Sequence, residues 1–201
     1  MTLTLTGAND APVVTAGGTL NYTENDSATA IDSNITVADV DDTNIDGATV
    51  QITNGYQNGE DLLGFTNQNG ISGAFNASTG TLTLTGSASV ADYETALASV
   101  TYSNGSDNPD TGARTVTTIV NDGDDASVAV TSTINVTAVN DAPGISGLSS
   151  GESVDEDSSL VISGLSFSDA SAGANPLVVS FRVDLGALWF TGAQTGLPFC
   201  G

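Results

Sequence analysis

The phrase Asn-Asp-Ala-Pro occurs twice, at Asn9–Pro12 and again at Asn140–Pro143, an offset of 131 residues. More than the phrase recurs. Leu3, Leu5 and Thr6 fall on Ile134, Val136 and Thr137 at the same offset. After each phrase come a glutamate (Glu24, and Glu156 with one residue gapped), a strand-like run, and an aspartate (Asp39, Asp169). A chain that repeats features in one order over such a span folds as stacked modules. The boundaries read as residues 1–11, the end of a preceding module and linker; 12–139, one complete module; and 140–201, a linker and a truncated second module.

Within the module the dominant period is two. Val128, Val130, Ile134 and Val136 share one parity, and Leu177, Val179, Phe181, Val183 and Leu185 alternate without interruption. Val50 with Ile52, Leu82 with Leu84, and Val100 with Tyr102 form shorter runs. Alternation of this kind marks strands with one buried face. Clusters of Gly, Asn and Asp separate the runs and supply turns. These runs predict an all-β, antiparallel sandwich. Residues 87–100 depart from the pattern. Val90, Tyr93 and Leu97 share one helical face, and Ser89 with Asp92 three residues on makes a capping box. The spacing predicts one short helix there, leading into a strand at 98–103.

Charge narrows the function. The chain carries 24 acidic residues against two basic ones, Arg114 and Arg182, for a net charge of −22. Such a field repels nucleic-acid phosphates and anionic membranes, and its self-repulsion favours bound cations or high salt. The single cysteine, Cys200, allows no disulfide within the chain. No apolar run is long enough for a membrane helix. The first ten residues lack the basic and apolar regions of a signal peptide, so export would need a signal located elsewhere.

Without His or Lys, and with one cysteine, the usual catalytic triads and zinc sites have no residues to use. Nothing points to an enzyme; paired carboxylates for glycoside hydrolysis would need one acid in an apolar pocket, and no such pocket is signalled. Carboxylates and carbonyls are instead hard ligands suited to calcium. "ADVDD" offers Asp39, Asp41 and Asp42. If that segment is extended, Asp39 and Asp41 point the same way and share one ion. "VNDGDD" offers Asp122, with Asp124 and Asp125 beyond a glycine. Glu24 and the two phrases, through Asn9, Asp10, Asn140 and Asp141, complete the candidates. Solvated acidic turns are the plain alternative for any one of these acids.

"NDAP", the following glutamate, the D-x-D between strands and the late "VNDG" resemble cadherin-like domains. The stretch "TLTLTGSASVADYETALASVTYSN…DNPDTGARTVTTIVNDG…VTAVNDAP" is similar to tandem repeats of large bacterial surface adhesins secreted by type I (RTX-type) systems. The resemblance implies a cadherin/immunoglobulin-like sandwich that binds Ca2+ where modules meet. It implies an upper joint of Asn9, Asp10, Asp39, Asp41 and Asp122, and a lower joint of Glu24, Asn140, Asp141 and Asp169. Asp92 and Glu94 in "ADYE" match a mid-module ligand pair. Ser171 stands where Asp41 stands in the first copy, which weakens the second joint. The implied function is an extracellular extender repeat supporting cell adhesion and biofilm. Its partners are neighbouring repeats, with host or surface glycans or proteins engaged through other domains. The alternative is a calcium-dependent glycan- or peptide-binding module using Tyr56 and the 54–61 loop. Arg114 reads as a surface charge partner, Tyr22 and Tyr56 as core or edge residues, and Trp189 and Phe190 as core of the second module.

Overall fold

A computed structural model describes residues 7–147, 153–171 and 177–180. It is all-β with one short helix. The larger layer is a six-stranded sheet in the order β2 (Thr19–Thr23), β11 (Val130–Thr137), β10 (Arg114–Asn121), β5 (Asn44–Asn54), β8 (Thr81–Ser89), β7 (Ser72–Asn76). The opposing layer holds β3 (Thr29–Ala30), β9 (Thr101–Asn104) and β6 (Asp61–Gly64) as one sheet, and β1 (Val13–Thr15) with β4 (Thr36–Ala38) as another. Within this module the ladders are antiparallel except one: β2 runs parallel to β11, with Thr19 opposite Thr133 and Thr23 opposite Thr137.

The parallel pair follows from a crossing of the N-terminal segment. β1 belongs to the small sheet, and three residues after it ends β2 begins on the large one. Asp32 fixes the crossing. Its carboxylate accepts the N–H groups of Gly17 (3.0 Å) and Gly18 (2.7 Å) and the hydroxyl of Ser132 on β11 (2.9 Å). Gly18 has no side chain because a Cβ there would sit 2.7 Å from Asp32 Oδ1.

The alternating residues face inward as the sequence predicts. Leu84, Tyr102 and Ile134 are fully buried, with Val50, Ile52, Leu82, Val100 and Val136 beside them; Ile45, Val116 and Val120, which lie outside the runs named from the sequence, complete this face of the core. Tyr22 packs edge-on against Tyr102 at 5.0 Å between ring centres. Tyr56 is partly buried against this core. The helix α1 (Val90–Ala98) starts at the predicted cap: Ser89 Oγ accepts the Asp92 N–H at 3.1 Å and donates to the Asp92 carboxylate at 2.6 Å. Tyr93, Ala96 and Leu97 form its buried face.

Two expectations fail for local reasons. Val128 is 85% exposed and lies before β11. Ser127 sets this: its N–H bonds the Val120 carbonyl and its Oγ accepts the Val120 N–H, which turns the next residue outward. Arg114 is not a surface charge; it is fully buried. Its guanidinium meets Asp61 through two bonds of 3.2 Å, and it donates to the carbonyls of Asp110 and Gly112.

After the second phrase, β12 (Gly144–Ser146) pairs antiparallel with β13 (Ser166–Ser168). The register places Gly144 opposite Ser168, as Val13 lies opposite Ala38 in β1–β4. Residues 177–180 form no strand, though Leu177 and Val179 are more buried than Val178 and Ser180. The rest of that alternating run, Trp189, Phe190 and Cys200 lie outside the described residues.

Candidate metal centre

β4, β5 and β10 bring the acidic turns to one end of the sandwich. The chain leaves β4 at Ala38 and bends at once, because Asp39 Oδ1 accepts the N–H groups of Asp41 (3.2 Å) and Asp42 (2.9 Å). The segment is therefore not extended, and the alternation that would put Asp39 and Asp41 on one side does not apply. Asp42 takes the position expected of Asp41. Asp39, Asp42 and Asp122 each offer a carboxylate oxygen within 4.8 Å of the others.

Asp122 arrives from the β10–β11 turn. Its Oδ1 accepts the N–H groups of Asp124 (2.8 Å) and Asp125 (2.7 Å) around Gly123, whose φ of 112° favours glycine. The first joint phrase closes over this end. Asn9 donates its amide to Asp122 (3.1 Å) and Asp125 (3.2 Å), and the Asp10 N–H lies 3.3 Å from both Asp41 carboxylate oxygens.

The electrostatics are those of a site short of positive charge. Hydrogen bonds, chiefly from the Asp125 backbone and then from Asn9 and Asp124, outweigh burial and hold the Asp122 carboxyl below its usual range. Burial, followed by the charges of Asp39, Asp41, Asp122 and Asp124, pushes the Asp42 carboxyl up. Asp39 Oδ2 is buried and has no hydrogen-bond partner among the described residues. The donor set is oxygen only, so it suits a hard cation such as calcium and offers nothing to a thiolate- or imidazole-seeking metal.

The residues expected at the lower joint do not gather in the same way. Glu24 is buried at the exit of β2, its N–H on the Thr137 carbonyl at 3.0 Å and its Oε2 without a hydrogen-bond partner among the described residues. Asn140 donates to the Asp141 carbonyl at 2.9 Å. The Asp141 N–H donates to Ser171 Oγ at 2.7 Å, and Ser171 Oγ donates to Asp169 at 3.1 Å. Two bonds of the first joint recur here, the phrase aspartate's N–H onto residue 41 or 171 and that residue's N–H onto Asp39 or Asp169. Asn140 does not reach a second acidic turn as Asn9 does, and Ser171 brings one charge fewer than Asp41. Among the described residues, Glu24, Asp141 and Asp169 belong to no compact group of three carboxylates.

The mid-module pair is spoken for. Asp92 caps its helix, and Glu94 Oε2 accepts the Val37 N–H of β4 at 3.1 Å. Tyr56 gives its hydroxyl proton to the Ala77 carbonyl at 2.5 Å, and its ring lies against Gly80. Sequence reasoning named Asp42 in the "ADVDD" cluster but did not single it out. Three acids within four residues before a strand were the available signal.

Fold and site together define a class: an all-β sandwich with acidic turns converging at one end, followed after the second phrase by a strand pair in a register matching β1–β4. No protein-family model matches the chain. Over 106 residues, half of this chain, it is 36% identical to Halomucin of Haloquadratum walsbyi (strain DSM 16790 / HBSQ001). The match spans 1% of that protein's length, so the likeness is to a small segment of a very long chain.

Proposed function

We propose that this chain is a segment of an extracellular structural protein built from repeated cadherin-like modules, stiffened by calcium where modules meet. It spaces other domains from a cell surface and supports adhesion as a structural part, without catalysis. The observation that carries the reading is the convergence of Asp39, Asp42 and Asp122 under the joint phrase, with Asn9 and Asp10 bonded to the same acidic turns. The likeness to a segment of Halomucin supports the extended, repetitive part of it. An ion held there replaces repulsion between carboxylates with shared ligation, and ligation between a joint and a module removes the joint's freedom to bend. Because the ion binds the folded state, it also stabilises the fold by mass action. EDTA should lower the melting temperature of the chain, and millimolar calcium should restore it. A melt that neither reagent moves contradicts the reading.

A further inference from the structure

The sequence holds six Asn-x-Ser/Thr triplets, at Asn21, Asn25, Asn34, Asn76, Asn104 and Asn135. Such a triplet is an acceptor for N-linked glycan only where the asparagine amide nitrogen is exposed and free. The fold sorts the six sharply. Asn104 is 1% exposed and donates its amide to Asp61 at 2.9 Å. Asn25 donates to Asp107 at 3.0 Å, and Asn135 to Asn21 at 3.0 Å across the β2–β11 ladder. Asn21 accepts that last bond and keeps its own Nδ2 unengaged among the described residues, but it sits inside a paired strand, β2. Outside strand interiors two remain exposed with Nδ2 unengaged among the described residues: Asn34, in the turn between β3 and β4, and Asn76, the last residue of β7 at the tip of the β7–β8 hairpin.

Asn76 is the better prepared. Its Oδ1 accepts both the N–H (3.0 Å) and the hydroxyl (2.6 Å) of Ser78. This turn holds the triplet's hydroxyl against the acceptor amide of an exposed residue, and Nδ2 has no hydrogen bond among the described residues. A separate observation points the same way. β7 ends its sheet, and its residues, Ser72 to Asn76, carry no charge. Such an edge invites pairing with another chain, and proteins commonly blunt edges with lysine, of which this sequence has none. A bulky hydrophilic group at Asn76 stands at the end of that edge and blocks strand addition.

We infer that Asn76, with Asn34 as a second position, is a glycan acceptor modified by a transferase using a lipid-phosphate-linked sugar. Asn76 Nδ2 forms a bond to the sugar's C1 as the C1–O bond to phosphate breaks. The phosphate leaves with the electron pair, and the amide proton passes to a base of the transferase. The inference rests on the extracellular reading above. The test is tandem mass spectrometry of the chain isolated from its source cells and cut with glutamate-specific protease and chymotrypsin. Peptides containing Asn76 should carry glycan, and those containing Asn104 should be bare. Asn76→Gln and Ser78→Ala should each remove the Asn76 glycan, the second with the asparagine still in place. Chain recovered at the cell surface with Asn76 and Asn34 bare overturns this inference and leaves the surface reading standing. Glycan on Asn104, or on Asn76 in Ser78→Ala, also overturns it. Chain recovered in the cytoplasm overturns the surface reading and this inference with it.

Discussion

Two buried charges show how single residues hold this module together. Arg114 reaches Asp61 across 53 positions of sequence, and the same carboxylate also takes the hydroxyl of Tyr102 and the amide of Asn104. Removing one member of such a group leaves an uncompensated buried charge. Arg114→Leu should cost about 3–5 kcal/mol in urea unfolding; a loss below about 1 kcal/mol would place the pair among weak surface contacts. Asp32 is the second case. Burial pushes its carboxyl up, but the bonds from Gly18, Gly17, Ser132 and Asn34 outweigh burial and hold it below its ordinary 3.8. Its contribution to stability is therefore present above 3.8 and lost as pH falls through the lower folded value. Asp32→Asn should unfold with a shallower loss below 3.8 than the parent in denaturant melts across pH, and parallel curves would contradict this. Neither residue's role was legible in the sequence. Both depend on partners far along the chain, and local pattern carries no information about which acid meets which base.

At the scale of elements the sequence was far more informative. Period two identified the inward faces of β5, β8, β9 and β11, because alternation is a local consequence of strand geometry. The helix was legible for the same reason. Its cap and its apolar face both lie within one short window, and Ser89→Ala should cost about 1 kcal/mol of stability in thermal or urea melts. An unchanged melt would show that burial of Tyr93 and Leu97 alone holds the helix. The misreadings occurred where a side chain takes over a backbone bond. Ser127 displaces Val128 from its strand, and Asp39 folds "ADVDD" into a bend, which exchanges Asp41 for Asp42 in the acidic group. The candidate site was thus visible as a set of turns, while its membership depended on the turn's shape.

For the molecule as a whole the governing quantity is charge. A net −22 with two cations, one of them buried against Asp61, leaves the acidic end without a protein counter-charge among the described residues. The central claim is that a cation supplies it, and Asp42 tests this through a change of sign. In EDTA the raised Asp42 carboxyl means the folded state holds that proton more tightly than the unfolded chain. Its stabilising contribution is full below 3.8 and lost as pH rises through the folded value, opposite in sense to Asp32. Removing the charge should then help at neutral pH. In calcium the same carboxylate is a ligand, and removing it should harm. The most direct measurement is the melting temperature of the parent and of Asp42→Asn at neutral pH, each in EDTA and in millimolar calcium. The account predicts that the variant melts above the parent in EDTA and below it in calcium; a difference of the same sign in both conditions would contradict it.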